Sequence, residues 1–365
     1  MLGLTLYWFI FWRKFLVNPY LLSPSEMAST YFPFWIWMGR KWQAKDNIYF
    51  KYPACIPFLS MWYLPNVLVS KISRHFSLDN SLKLYVYFIL LHYLLASFIA
   101  YKVLGLFGAL TLTYAGYCIK PNTPSFVYTM TWMPGMLIGG WFGAFSCFMA
   151  ITGGYWPILV YFMPVAAIVN PWCLLGVIPA LVQIVPFAWY WPKSVRANEK
   201  VDPKFGRLPW WKLKDLFIPS QSVSVTNGVH YPEVEMYMGL AVLFIWHVSW
   251  WWVALCVALL YVLGLISPLQ RIPARALYLA TLGIVFLTQE NLISPLMLFL
   301  QGSLLLRNCS IYPSFPFSQW WNKPSVLYTR PSKAYNWPFN TGYLSGKKTG
   351  GYYAGAFSLK CQTTT

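Results

Sequence analysis

Residues 82–100 have the sequence LKLYVYFILLHYLLASFIA, and this apolar stretch decides the fold class. It carries one cation and no acid over a length that, as a helix, is close to the roughly 20 residues needed to cross a bilayer. Strands of a membrane barrel alternate polar and apolar side chains, and this stretch does not alternate. The stretch is therefore predicted to be a membrane-spanning α-helix.

The rest of the chain has the same character. Hydrophobic residues make up 58% of it and charged residues only 10%, whereas roughly a quarter of a soluble domain is charged. The surplus apolar surface is expected to contact lipid. The sequence predicts an all-α, polytopic membrane bundle of about eight spans, at residues 2–17, 82–100, 103–119, 136–152, 155–170, 172–191, 236–264 and 276–306.

The predicted bundle covers residues 1–306 and contains two long polar interruptions. Residues 18–81 are predicted to form a first loop, and residues 192–235 a second one rich in proline and charge. Residues 307–365 form a basic, aromatic tail without apolar periodicity, which is predicted to be irregular and dispensable for folding. The positive charge of the first loop does not settle the orientation of the bundle, because the positive-inside rule weakens in loops of about 60 residues.

The net charge of +18, from 27 basic and 9 acidic residues, limits the classes of partner. Binding to nucleic acid is excluded, because the basic residues do not gather on a polar domain. Two interpretations stay open: cations beside anionic lipid headgroups, or cations that bind the phosphate of a lipid-linked substrate. The seven cysteines include no CxxC pair and predict neither a disulfide framework nor a metal site.

Two groups of charged residues are candidates for chemistry. Glu26 follows the first apolar run by nine residues and precedes an aromatic segment. It is either a solvated carboxylate or a general base held at the bilayer face. Arg271 and Arg275 flank Pro273 between two apolar runs. They are either a stop signal at a cytoplasmic helix end or a pair of guanidinium groups that bind one phosphate.

Four groups of segments, in this order, resemble the GT-C superfamily of membrane glycosyltransferases and, within it, the bacterial YfhO-type family. The resemblance covers roughly residues 1–290, and the chain is shorter than typical members of the family. The segments are Glu26–Phe34; Tyr114–Tyr117 with Thr131–Pro134; Ser194–Arg196 with Asp215–Pro219 and Tyr237–Gly239; and Arg271–Arg275.

The resemblance implies transfer of a sugar from a polyprenyl-phosphate donor to a cell-envelope acceptor, in a bacterial inner or plasma membrane. It implies that Glu26 is the general base and that Arg271 and Arg275 contact the donor phosphate, with Arg196 as a weaker candidate. Glu26 departs from the family pattern, in which the acid of the first loop is usually Asp. No organic cofactor is implied, although a divalent cation could bridge the phosphate and Glu26.

Two further expectations follow from the resemblance. The acid-bearing loop, residues 18–81, is expected to lie outside the cytoplasm, and Glu26 and the arginine pair are expected to share one cavity. The alternative functions are a lipid or small-molecule transporter and a non-catalytic membrane scaffold. A transporter would show broken helices in two matching halves, and only one such stretch, around Gly153 and Pro157, is evident.

Overall fold

The computed structural model describes residues 1–19, 31–40, 62–121, 123–190, 207–216, 237–238, 249–265, 273–288, 295–296 and 298. Within these ranges the prediction of a helical protein is confirmed, because they contain ten α-helices and no strand. The helices are α1 (Leu2–Val17), α2 (Phe32–Arg40), α3 (Leu64–Ser73), α4 (Leu78–Tyr114), α5 (Pro124–Trp132), α6 (Trp141–Gly153), α7 (Trp156–Val169), α8 (Val177–Tyr190), α9 (Trp251–Val262) and α10 (Leu277–Thr288). Short 3-10 helices occur at Pro134–Leu137, Pro171–Gly176, Trp210–Leu216 and Pro273–Ala276.

Two helical stretches in the described ranges are apolar and long enough to cross a bilayer. They are α4, with 37 residues, and Pro171–Trp189, in which a 3-10 turn leads into α8. Helices α6, α7, α9 and α10 are apolar but have only 12 to 14 residues, fewer than the roughly 20 that a perpendicular span requires. Within the part of the chain that the structure describes, two helices are therefore of membrane length, against about eight predicted spans.

Helix α4 covers the predicted span 82–100 and most of the span 103–119, as two helical segments that meet at a kink. Its regular geometry is interrupted at Gly105, where φ is 68° and ψ is −174°. Only glycine adopts this region of backbone conformation readily. A break between the two predicted spans is therefore present, at Gly105, five residues beyond the end of the first.

Residues 18–81, predicted to form a first loop between spans, contain helices in their described part. Helices α2 and α3 lie in this range, and α4 begins at Leu78. Helix α2 is stabilised because its aromatic side chains are buried against α4. Trp35 is fully buried, and its ring lies 4.7 Å from that of Tyr85 on α4. The aromatic segment after Glu26 is thus part of the packed bundle.

Helix α10 is enclosed by its neighbours, and its side chains are buried on nearly every face. It packs against α9 and α4. The ring of Phe286 stacks on that of Trp251 of α9 at 4.0 Å and 6°. Because α10 is enclosed, Arg275, which lies two residues before its start, is held against the bundle.

Close helix packing also depends on small residues. A side chain added at Gly176 would collide with the backbone carbonyl of Ala144, so this glycine lets the 3-10 turn lie directly against α6. Membrane helices use small residues in this way, because lipid provides no hydrophobic drive for their association.

The outer surface of α8 is apolar, as expected of a helix that faces lipid. Soluble monomers rarely expose contiguous apolar patches of this kind, because water disfavours them. Such a patch favours a bilayer or another apolar partner as its surroundings. Its members are Ile178, Leu181, Val182, Val185 and Trp189, which are between 40% and 64% exposed.

Several predictions concern residues outside the described ranges. This holds for the tail, residues 307–365, and for most of the second polar loop. Residues 207–216 of that loop are described, with a 3-10 turn at Trp210–Leu216. Of the predicted span 236–264, the described part is helical at α9. Of the predicted span 276–306, α10 is the longest described element.

Candidate functional site

Arg275 is the one predicted site residue that lies in the described ranges. It is half-buried at the end of the 3-10 turn that leads into α10. The central carbon of its guanidinium group lies 5.4 Å from the centre of the Tyr155 ring, between α6 and α7. Its backbone carbonyl accepts a hydrogen bond of 3.2 Å from the hydroxyl group of Tyr117.

A second cation, Lys120, lies in the turn between α4 and α5. Its side chain is only 3% exposed. The ammonium nitrogen lies 3.5 Å from the centre of the Tyr117 ring and 4.7 Å from that of Phe126. The negative face of an aromatic ring attracts a cation, and such contacts partly offset the cost of removing the ammonium group from water.

The two cations share one aromatic surface. The ring of Phe126 lies 5.7 Å from that of Tyr117 and 5.3 Å from that of Tyr155, in both cases edge to face. We call these five residues, Tyr117, Lys120, Phe126, Tyr155 and Arg275, the cation–aromatic site. Lys120 lies at its buried end, and Arg275 and Tyr155 at its more exposed end.

Segments that are distant in sequence frame this site. The backbone N–H of Gly116 donates a hydrogen bond of 2.8 Å to the carbonyl of Tyr237. The hydroxyl groups of Tyr31 and Ser125 are hydrogen-bonded at 2.9 Å, one residue before Phe126. Parts of four segments that carry the resemblance, around Tyr31, Tyr117, Tyr237 and Arg275, are therefore held around the turn between α4 and α5.

The other predicted site residues, Glu26, Arg271 and Arg196, lie outside the described residues. The predicted convergence of Glu26 and the arginine pair on one cavity therefore stays a prediction. So does the bridging divalent cation, since it depends on Glu26. Among the residues that the structure describes, no cluster of three or more His, Cys, Asp and Glu side chains could hold a metal.

A buried hydrogen-bonded chain fixes the helices beside the site. The indole N–H of Trp132 donates to the hydroxyl oxygen of Tyr63 at 2.8 Å, and the hydroxyl group of Tyr63 lies 2.7 Å from Nε2 of His92. Nδ1 of His92 lies 2.7 Å from the carbonyl oxygen of Phe88. A carbonyl can only accept, so Nδ1 carries a proton, and Tyr63 donates to Nε2.

This chain of bonds has a structural role. It ties the residue before α3 to α4 and α5 and satisfies the polar atoms that it buries. Burial raises the pKa of Tyr63 above its ordinary value, against the opposing effect of the bond from Trp132. The phenol therefore keeps the proton that it donates. The network orients α5, which carries Phe126 of the cation–aromatic site.

Lys120 and Tyr155 were not among the residues predicted from sequence. Lys120 follows directly after the apolar run that ends at Ile119, and Tyr155 follows the glycine pair that separates two apolar runs. A cation or a tyrosine at the end of a membrane helix is ordinary at a bilayer interface. Their positions in sequence therefore do not distinguish them from many other such residues.

Comparison with protein-family models, with curated proteins and with solved structures finds no match for this chain. The resemblance to the YfhO-type family thus stays a prediction, based on the order of its segments.

Proposed function

We propose that this chain is an integral membrane glycosyltransferase that takes a sugar from a polyprenyl-phosphate donor. One observation carries the proposal: Lys120 and Arg275, from distant parts of the chain, lie on one aromatic surface. Cations in a partly dehydrated site attract a phosphate group more strongly than they do in water. Tyrosine rings provide apolar faces beside it for a sugar or an isoprenoid unit.

In the proposed reaction, Glu26 takes a proton from the acceptor hydroxyl group as this group attacks the anomeric carbon. The bond between that carbon and the donor phosphate breaks, and the phosphate leaves as an anion. Arg275 and Lys120 stabilise its charge, together with Arg271 and, more weakly, Arg196. The acceptor is a component of the cell envelope, and the bundle has about eight spans.

Binding of polyprenyl phosphate to the purified protein in lipid nanodiscs tests the first part of the proposal. The matched ligand is the polyprenol without phosphate, which should bind much more weakly. Arg275→Gln should reduce the affinity for the phosphate about 10- to 100-fold, since a charge-assisted hydrogen bond is worth roughly 1.5–3 kcal/mol. Lys102→Gln, which removes an exposed cation of α4, is the control and should change little. Equal binding of the two ligands would overturn the proposal.

The second part concerns catalysis. A panel of radiolabelled polyprenyl-phosphate sugars, supplied with envelope extract, should give labelled product with the unaltered protein. Glu26→Gln keeps the size of the side chain but removes the base, and should abolish transfer while leaving donor binding intact. Donor binding without any transfer by the unaltered protein would favour the alternative functions, transport or a scaffold.

A further inference from the structure

A second site, separate from the cation–aromatic site, lies where α1 crosses α4. Two hydrogen bonds join these helices: the indole N–H of Trp8 donates to the carbonyl of Leu90 at 2.7 Å, and the hydroxyl group of Tyr87 donates to the carbonyl of Leu16 at 3.1 Å. Beside them is an open cavity of about 570 Å³, lined by apolar side chains of α1, α3 and α4.

The helical repeat of α1 places a cation on the cavity side. Phe9 and Leu16 both line the cavity. Arg13 follows Phe9 by four residues and precedes Leu16 by three, which puts all three on one face of the helix. Arg13 is exposed. Lys14 is also exposed, but it is rotated by about 100° from Arg13 around the helix axis.

We propose that this cavity binds an anionic phospholipid, with an acyl chain along the apolar floor and the headgroup phosphate at Arg13. The floor offers almost no polar group to a peptide or a sugar. The outward face of α1 continues it with exposed Leu2 and Leu6, so the cavity is open to the bilayer. Charge complementarity at Arg13 selects an anionic lipid over a zwitterionic one, because the headgroup of a zwitterionic lipid carries its own cation beside the phosphate.

Native mass spectrometry of the delipidated protein tests this site. Phosphatidylglycerol and phosphatidylcholine with identical acyl chains are titrated separately, and phosphatidylglycerol should bind more tightly at one site. Arg13→Gln should weaken phosphatidylglycerol binding about fivefold, as expected for a partly solvated ion pair. Lys14→Gln is the matched control and should weaken it less than twofold. Inorganic phosphate in excess should not compete.

A second variant tests the acyl-chain position. Leu91 lines the cavity and is 52% exposed, so Leu91→Trp should fill the space without disturbing the core. It should weaken the binding of both lipids. Equal losses for Arg13→Gln and Lys14→Gln would show attraction to overall surface charge and overturn the proposal, as would full binding by Leu91→Trp. The proposal does not depend on sugar transfer, and no outcome here bears on that activity.

Discussion

The ammonium group of Lys120 is held between aromatic rings at a depth where a charge is costly. Lys120→Met keeps the length of the side chain and removes the charge. The variant loses cation–π contacts worth about 0.5–2 kcal/mol, but it no longer has to bury a charged group. Because these two effects oppose each other, the melting temperature should change little. The affinity for polyprenyl phosphate should fall roughly tenfold.

The control for Lys120 is Lys214→Met, at an exposed cation in the 3-10 turn Trp210–Leu216. Its effect on affinity should be small. A large loss of thermal stability in Lys120→Met, with unchanged affinity for the phosphate, would show that Lys120 only supports the fold.

The hydroxyl group of Tyr63 links Trp132 and His92 inside the bundle. Tyr63→Phe removes it and leaves a buried donor and a buried acceptor without this partner, which should cost about 1–3 kcal/mol for each group. Tyr87→Phe also removes one hydrogen bond, but at an exposed position, and should cost less. Thermal melting in detergent compares the two variants.

Tyr63 also gives a pH dependence with a defined sign. Its pKa is raised in the folded protein, so the folded state retains the phenolic proton at pH values where the unfolded chain loses it. The contribution of Tyr63 to stability is therefore complete below pH 10.0, the ordinary tyrosine pKa, and declines above it. Tyr63→Phe should flatten this part of the melting-temperature profile. An unchanged profile would contradict the assignment.

At the scale of elements, the kink in α4 depends on Gly105. A methyl group at this position would meet no atom within 4 Å, so any cost of Gly105→Ala comes from its backbone conformation. We expect a loss of about 1–3 kcal/mol in folding stability. Gly3→Ala in α1, where space is equally open and the backbone is helical, should be neutral or slightly stabilising. Similar melting temperatures for both variants would show that α4 straightens without cost.

At the scale of the whole molecule, the exposed apolar surface of α8 and the length of α4 predict an integral membrane protein. The protein should stay in the membrane pellet after an alkaline carbonate wash, which releases peripheral proteins.

A cysteine introduced at Asn47 should react with an impermeant reagent on intact cells, as expected if residues 18–81 lie outside the cytoplasm. Labelling only after lysis would reverse the orientation.

The sequence alone determined that the protein is helical and where several helices end. The predicted spans 2–17 and 155–170 agree with α1 and α7 to within one residue at each end. Apolar runs report these limits because a helix in lipid ends where polar or charged residues reach the interface. Local pattern was insufficient for residues 18–81, where the aromatic helix α2 is stabilised by burial against α4, a contact between distant parts of the chain.

Only the tertiary structure decided which cations lie together. Arg275 was a candidate from its spacing to Arg271, but its neighbours Tyr117 and Tyr155 come from other parts of the chain. The sequence also did not distinguish Lys120 from an interfacial lysine. A local pattern records which residues share a helix face, whereas the distance between residues 158 positions apart depends on how all the intervening helices pack. The burial of α10 brings Arg275 into the bundle beside this aromatic surface, and no local pattern encodes that burial.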